Sequence, residues 1–326
     1  MGRTSRAETT PRRGLRPAIT PAVARLFAAR AELDDRVGRR ADIVGSMVGM
    51  KVRAGRVTDQ PSMSFFVREK VDKADLNPKE RIPSRLRWGE AVIATDVLVW
   101  PRMVEQVTQL GPPPASIISD GRTQGTLTCF GRSQFGRFGV SCAHCLVGAD
   151  GNPATPSSVS LYDPMGRQFV PVGESLFLPF SPGSGLPGNF GYMDCGLFDL
   201  SDAGLTARAA AARPLPAVAD VRALVGQFLY GLSPLKAPGQ PGPQRIAKVI
   251  GAESVALGER SDLVLQVASP GTFRGDSGML WLTQGGQAAA IHARGQEMAG
   301  MDGSPLTTAM SAARASKALG VSLLLG

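Results

Sequence analysis

Two histidines, four cysteines and one Gly-Asp-Ser-Gly run carry most of the reactive chemistry in this 326-residue chain. His144 lies in Val140-Ser141-Cys142-Ala143-His144-Cys145, Asp194 in Tyr192-Met193-Asp194-Cys195-Gly196-Leu197, and Ser277 in Gly275-Asp276-Ser277-Gly278. A serine hydroxyl is a weak nucleophile until an imidazole takes its proton. A carboxylate on the other ring nitrogen fixes the tautomer and stabilises the imidazolium that forms. Singly, each segment has a plainer meaning: a histidine packed in a core, an aspartate capping a turn, a glycine-rich turn. They occur in the order His, Asp, Ser, separated by 50 and 83 residues, and brought together these three residue types could carry out acyl transfer.

Other motifs weaken on inspection. Gly183-Ser184-Gly185-Leu186-Pro187-Gly188 fits G-x-G-x-x-G in letters only, because Pro182 and Pro187 flank it and no helical pattern follows. No Gly-x-Ser-x-Gly elbow occurs, and His144 and His292 are 148 residues apart, which excludes a helical two-histidine zinc motif. Cys142 and Cys145 have C-x-x-C spacing, but Cys129 and Cys195 are isolated singles, so no metal and no organic cofactor is expected.

The elements that must hold these residues read as mainly β. Residues 1–20 form a basic, flexible tail. Thr20-Pro21 is a helix start, with Val23, Leu26, Phe27, Leu33 and Val37 near helical spacing over 21–38. Apolar runs at Val48–Val52, Ser62–Val67 and Ala91–Trp100 complete a small α+β extension over 21–110. A Pro-rich connector covers 111–124. From 125 onward short β-type runs alternate with Gly and Pro turns, as in a sandwich or barrel, and Arg213-Pro214-Leu215-Pro216 divides them into units of about 125–213 and 217–305. A closing helix is expected over 306–319, where Ala, Met, Arg, Lys and Leu dominate until Gly320.

With these segments in hand, residues 121–326 resemble the chymotrypsin/trypsin-like serine peptidases, which place Ala-His-Cys, Asp-x-Gly-Leu and Gly-Asp-Ser-Gly in this order. The resemblance implies two six-stranded β-barrels and an endopeptidase acting on a protein or peptide substrate. His144 would be base then acid, Asp194 the orienting carboxylate and Ser277 the nucleophile. The N–H groups of Gly275 and Ser277 would face the developing oxyanion, where one donor is worth roughly 3–4 kcal/mol. Asp276 then belongs to the scaffold. It also implies a disulfide between Cys129 and Cys145, whereas the apparent lack of an export signal points to free thiols. Ile43-Val44-Gly45-Ser46, similar to an activation N-terminus, lies too far before His144 to serve as one. Gly271, six before the nucleophile, does not support trypsin-type pairing with Lys or Arg. Thr272 and His292 resemble the pocket of glutamyl endopeptidases, with Arg294 nearby as a further group for a substrate carboxylate, which implies a preference for Glu or Asp before the cut, unless His292 is simply packed on an inner strand.

Charge and composition limit the rest. Ten arginines against four acids give residues 1–40 a charge of +6 of the chain's +9. They show no interleaved aromatic stacking pattern such as single-strand binders use, so nucleic acid is not the expected partner. No run approaches the ~18 apolar residues of a membrane span and no apolar block follows the first residues, so a cytoplasmic protein off the membrane is expected. The N-terminal unit is a candidate for binding a regulatory protein. Two alternatives stand beside the peptidase: a catalytically idle module that binds through the Arg-rich arm, and a self-processing or ester hydrolase using the same triad.

Overall fold

The computed structural model describes residues 17–72, 74–105, 116–120, 123–148, 150–163, 165–178, 193–232, 244–298 and 303–326. The Arg-rich run over 1–16, the Pro-rich stretch 111–115, the loop Gly183–Gly188 and Tyr192 lie outside them. No described helix is long and apolar enough to cross a membrane.

The first helix, α1 (Pro21–Leu33), starts where Thr20 Oγ1 accepts the Val23 N–H at 3.4 Å, and it runs on into a π-turn over Asp34–Gly38. Four strands follow: β1 (Ile43–Arg53), β2 (Arg56–Val67), β3 (Arg85–Trp88) and β4 (Ala91–Val99). β1 and β2 are antiparallel, β2 and β4 parallel, and β3 borders β4. A short strand, β5 (Met103–Glu105), stands apart from them.

The next strands are β6 (Ser116–Ser119), β7 (Thr123–Thr126), β8 (Cys129–Ser133), β9 (Gly136–Ser141), β10 (Ser158–Asp163), β11 (Gln168–Phe177) and β12 (Gly196–Phe198). After α2 (Ala203–Ala211) come β13 (Arg213–Pro214), β14 (Phe228–Leu232), β15 (Gln244–Ala256), β16 (Glu259–Val267), β17 (Leu280–Thr283), β18 (Ala288–Gln296) and β19 (Leu306–Ser311). The described chain closes with α3 (Ala312–Leu319) and β20 (Ser322–Leu325).

These strands make the mainly β, two-barrel arrangement that the resemblance implied. β14, β17, β18, β19, β16 and β15 pair in that order, and β15 returns to β14, so six strands close on themselves. The other sheet, β13-β20-β8-β9-β12-β11-β10-β6-β7, is a half-barrel open between β13 and β7 among the described residues, where a second closed barrel was expected. Its strands alternate a buried face over one core containing Phe130, Val140, Phe198 and Leu324.

Four boundaries differ from the sequence expectation. The N-terminal unit is not a separate layer: β1 pairs antiparallel with β15, Gly45 opposite Ala256, so its sheet continues the closed barrel. Its buried Leu26, Met63 and Phe65 share a core with Leu263 and Trp281. Within the expected connector over 111–124 lie β6 and most of the start of β7. Residues 213–216 are stitched down rather than spanning freely, since β13 pairs with β20 and the Ala288 N–H donates to the Pro216 carbonyl at 2.9 Å. The expected helix over 306–319 is a strand to Ser311 and a helix from Ala312. Residues 307–311 are all buried, which hides the strand's alternation, and Ser311 supplies the helix cap.

Candidate active site

The site forms where the half-barrel meets the closed barrel. β9 ends at Ser141 and the chain turns into a single 3-10 turn, Ala143–Cys145, that carries His144. β12 pairs with β9, Gly196 opposite Ser141, so two residues earlier Asp194 lies across from that turn. Its carboxylate holds the turn twice. Oδ1 accepts the His144 backbone N–H at 3.0 Å and Oδ2 bonds His144 Nδ1 at 2.5 Å. Both side chains are buried, and among the described residues His144 Nε2 has no hydrogen-bond partner.

Burial, the largest influence on His144, pulls its pKa down. The charge of Asp194, then Cys145, outweighs it and holds the imidazole well above its ordinary value. Burial likewise raises Asp194, but the charge and hydrogen bonds of His144 keep its carboxyl below the usual range. Those are the properties of a buried ion pair.

The Ser277 loop packs against the same turn. Gly275 and Gly278 have φ of 99° and 91°, a left-handed backbone that glycine adopts without strain, and they flank the serine as the sequence suggested. The start of the half-barrel grips the loop by its carbonyls. The Thr126 N–H and Oγ1 donate to the Ser277 and Gly275 oxygens, both at 2.7 Å, and Thr128 Oγ1 donates to Gly278 O at 2.6 Å. Cys145, the residue after His144, sets its sulfur 3.8 Å from the Ser277 carbonyl oxygen. The Ser277 hydroxyl donates to the Ala293 carbonyl at 3.1 Å, and Ser277 is fully buried. Asp276 is scaffold: it accepts the Phe273 N–H at 2.9 Å and lies 3.6 Å from the buried Arg245 guanidinium.

The sequence did not single out Gly125, Thr126 and Thr128. The only available signal was the alternation Thr126-Leu127-Thr128, which places both hydroxyls on one side of the strand.

The pocket candidates are split. Gly271, with φ of 88°, and Thr272 lie against residues 303–304, and Thr272 and Ser304 exchange backbone bonds at 3.0 and 2.7 Å. His292 sits within β18, fully buried, with its ring 6.2 Å from that of Trp281. Burial first, then the charges of His144 and Arg245, push its pKa to about 3, so at neutral pH it is uncharged. Arg294 pairs with Glu259 at 2.7 Å.

The cysteines differ from the implied bond. All four are free and buried, and Cys145 Sγ faces Gly125 rather than Cys129. Burial raises Cys129 to about 12. On Cys145 burial is opposed by hydrogen bonding to Cys142 and by the charge and hydrogen bonding of His144, which bring it to about 6. Cys142, His144 and Asp194 each offer a ligand atom within 4.8 Å of the others, a set of the kind that holds zinc. In the geometry observed, the His144 and Asp194 atoms bond each other.

Ile43-Val44-Gly45-Ser46 lies inside β1, where a Cβ on Gly45 would meet the Val255 carbonyl at 1.9 Å. It is a strand interior held tightly to its neighbour.

Comparison with known proteins gives distant likenesses. Residues 22–99 match the model of the NARROW LEAF 1 N-terminal domain, a span of well under half the chain that coincides with α1 to β4. No curated protein sequence matches. Among solved structures, the chain is similar to Thermobifida fusca Protease A, at 14% identity and a TM-score of 0.39 over 66% of this chain and 98% of that one. It is also similar to a glutamic acid-specific serine protease described as using a histidine triad in substrate binding, at 17% identity and 0.40 over 65% and 98%. An HtrA-type protease, AlgW, solved with a tripeptide, has 14% identity and a TM-score of 0.38 over 64% and 59%.

Proposed function

We propose that the chain is a serine endopeptidase, with Ser277 as nucleophile, His144 as general base then acid, and Asp194 as the group that orients the imidazole. The observation that carries this is the His144–Asp194 pair at 2.5 Å, on a turn whose next residue, Cys145, sets its sulfur 3.8 Å from the Ser277 carbonyl oxygen, with Nε2 buried and without a hydrogen-bond partner among the described residues. A carboxylate on Nδ1 leaves Nε2 as the proton acceptor. In the reaction the Ser277 hydroxyl leaves the Ala293 oxygen by rotation about χ1 and gives its proton to Nε2 as it attacks a peptide carbonyl. The N–H groups of Gly275 and Ser277 hold the resulting oxyanion. His144 then protonates the leaving amine, and water cleaves the acyl-enzyme by the same steps. Catalytic hydrogen bonds are often formed only with substrate in place. A cytoplasmic setting, where thiols stay reduced, goes with the four free cysteines.

A second reading, a protease fold without turnover, is favoured by the burial of Ser277 and its bond to Ala293. Labelling with a serine-directed fluorophosphonate separates the two. The parent should label, Ser277→Ala and His144→Ala should not, and loss of the nucleophile should cut turnover on the order of 10⁶-fold. Label retained on Ser277→Ala, or none on the parent under any condition, would reject the peptidase. Preference for Glu or Asp before the cut would rest on neutral His292, Thr272 and an Arg294 that trades Glu259 for the substrate. The same preparation, given matched peptides ending in Glu, Leu and Arg, tests it: equal rates discard the acidic pocket.

A further inference from the structure

β18 borders three strands, and one of them stands where a substrate would. On one side β19 runs opposite Ala290 through Gly295. On the other side β17 pairs only as far as Ile291, and Gly278 and Met279 carry the contact to His292 before the chain bends away into the Ser277 loop. From Arg294 onward that second side is occupied by β5, with Glu105, Val104 and Met103 opposite Arg294, Gly295 and Gln296. The Glu297 N–H donates to the Arg102 carbonyl at 2.8 Å, and Arg102 and Glu297 form an ion pair at 3.3 Å.

Two facts tie this edge to the chemistry. Ala293, one residue before the β5 ladder, is the residue whose carbonyl holds the Ser277 hydroxyl. The polarity of β5 also matters: its numbering rises as the numbering of β18 falls, so β5 runs toward Ala293 and Ser277 in its N-to-C direction. Extended peptides bind proteins by adding a strand to a free sheet edge. Among the described residues, the stretch of β18 edge beside the nucleophile is already filled from within the chain.

We infer that residues 294–297 of β18 are the docking edge for an extended peptide substrate and that β5 is its resident competitor, an autoinhibitory strand that must leave before a substrate can pair. The inference rests on Ser277 being the nucleophile. Three paired residues form a contact short enough for a peptide to displace.

The ladder indicates how to test it. Arg102 and Glu297 bond through their backbones, so by antiparallel alternation Val104 and Gly295 form the next hydrogen-bonded pair and Met103 and Gln296 a non-bonded one. Val104→Pro removes a ladder N–H and should release β5. Met103→Cys with Gln296→Cys places two thiols on a non-bonded pair, whose Cα separation of about 4.5 Å suits a disulfide. The full chain would be measured for peptide turnover and for fluorophosphonate labelling rate. Expected are a rise of tenfold or more for Val104→Pro, a fall of tenfold or more for the oxidised cysteine pair, and recovery on reduction. If Val104→Pro is misfolded, the reversible pair decides alone. Equal turnover locked and unlocked, in protein that labels at Ser277, overturns the autoinhibitory strand and leaves the peptidase standing. No labelling in any form, released or reduced, overturns both.

Discussion

His292 shows how burial sets a residue's behaviour. It sits on β18 between Trp281 and the Ser277 loop, and its pKa falls from the ordinary 6.5 to about 3. A histidine depressed in the folded state adds stability that is fully present above its unfolded pKa. That stability is lost as pH falls toward the folded value, because the unfolded chain takes up the proton first. The window is therefore pH 6.5 down to about 3, and the loss at its lower end amounts to roughly 4–5 kcal/mol at 1.36 kcal/mol per unit. Thermal melts across that range should show Tm falling with pH in the parent and a visibly flatter fall in His292→Gln; parallel curves would mean that His292 is not a neutral core residue. His144 has the opposite sign, since its raised pKa adds stability below pH 6.5 that is lost as pH rises through its folded value. Residue types and their flanks pointed in the sequence to His144 and Asp194, which the structure pairs. The state of His292 was not legible there, because it depends on Trp281 and Arg245 arriving from other strands.

At the level of elements, the Ser277 loop is held by the start of the half-barrel as well as by its contact with the histidine turn. A Cβ on Gly125 would lie 2.2 Å from Cys145 Sγ and 3.0 Å from the Ser277 carbonyl oxygen, so Gly125→Ala must push one of them. Displacements of about 1 Å in such sites cost on the order of 10²-fold in rate. Steady-state assays should show that loss in Gly125→Ala and a partial recovery when Cys145→Ala is added, since the 2.2 Å contact with the sulfur is then gone while that with Cys145 Cβ at 2.9 Å remains; a double variant as slow as the single one would place the damage elsewhere. Strand positions were readable where one face is buried and the other is not, as in β4. They failed at residues 307–311, buried on both faces of a closed barrel, where the alternating signal vanishes and helix-forming Ala and Met mislead. β5 left no mark either. Three residues carry no period, and their partner lies far along the chain.

On the scale of the molecule, the N-terminal unit and the closed barrel are one body. β1 pairs with β15, and α1 covers a core built from both parts, with Val23, Leu26 and Leu33 beside Val249 and Leu265. A chain begun at Ser116 would expose that core and the β15 edge, so it should accumulate as insoluble or molten protein, judged by near-ultraviolet circular dichroism and melting. A sharp melt at the parental Tm would show the unit to be dispensable. The composition shift near residue 110 made the unit visible in the sequence, but sheet continuity across about two hundred intervening residues depends on long-range register, which local composition does not encode.

β20 closes this half of the molecule in another sense. It inserts between β8 and β13, and β8 pairs with β9, the strand that ends at the histidine turn. Every other strand of that sheet leaves the ribosome earlier. The sheet bearing His144 therefore stays unlatched until Leu323 and Leu324 have been made and have docked between β8 and β13.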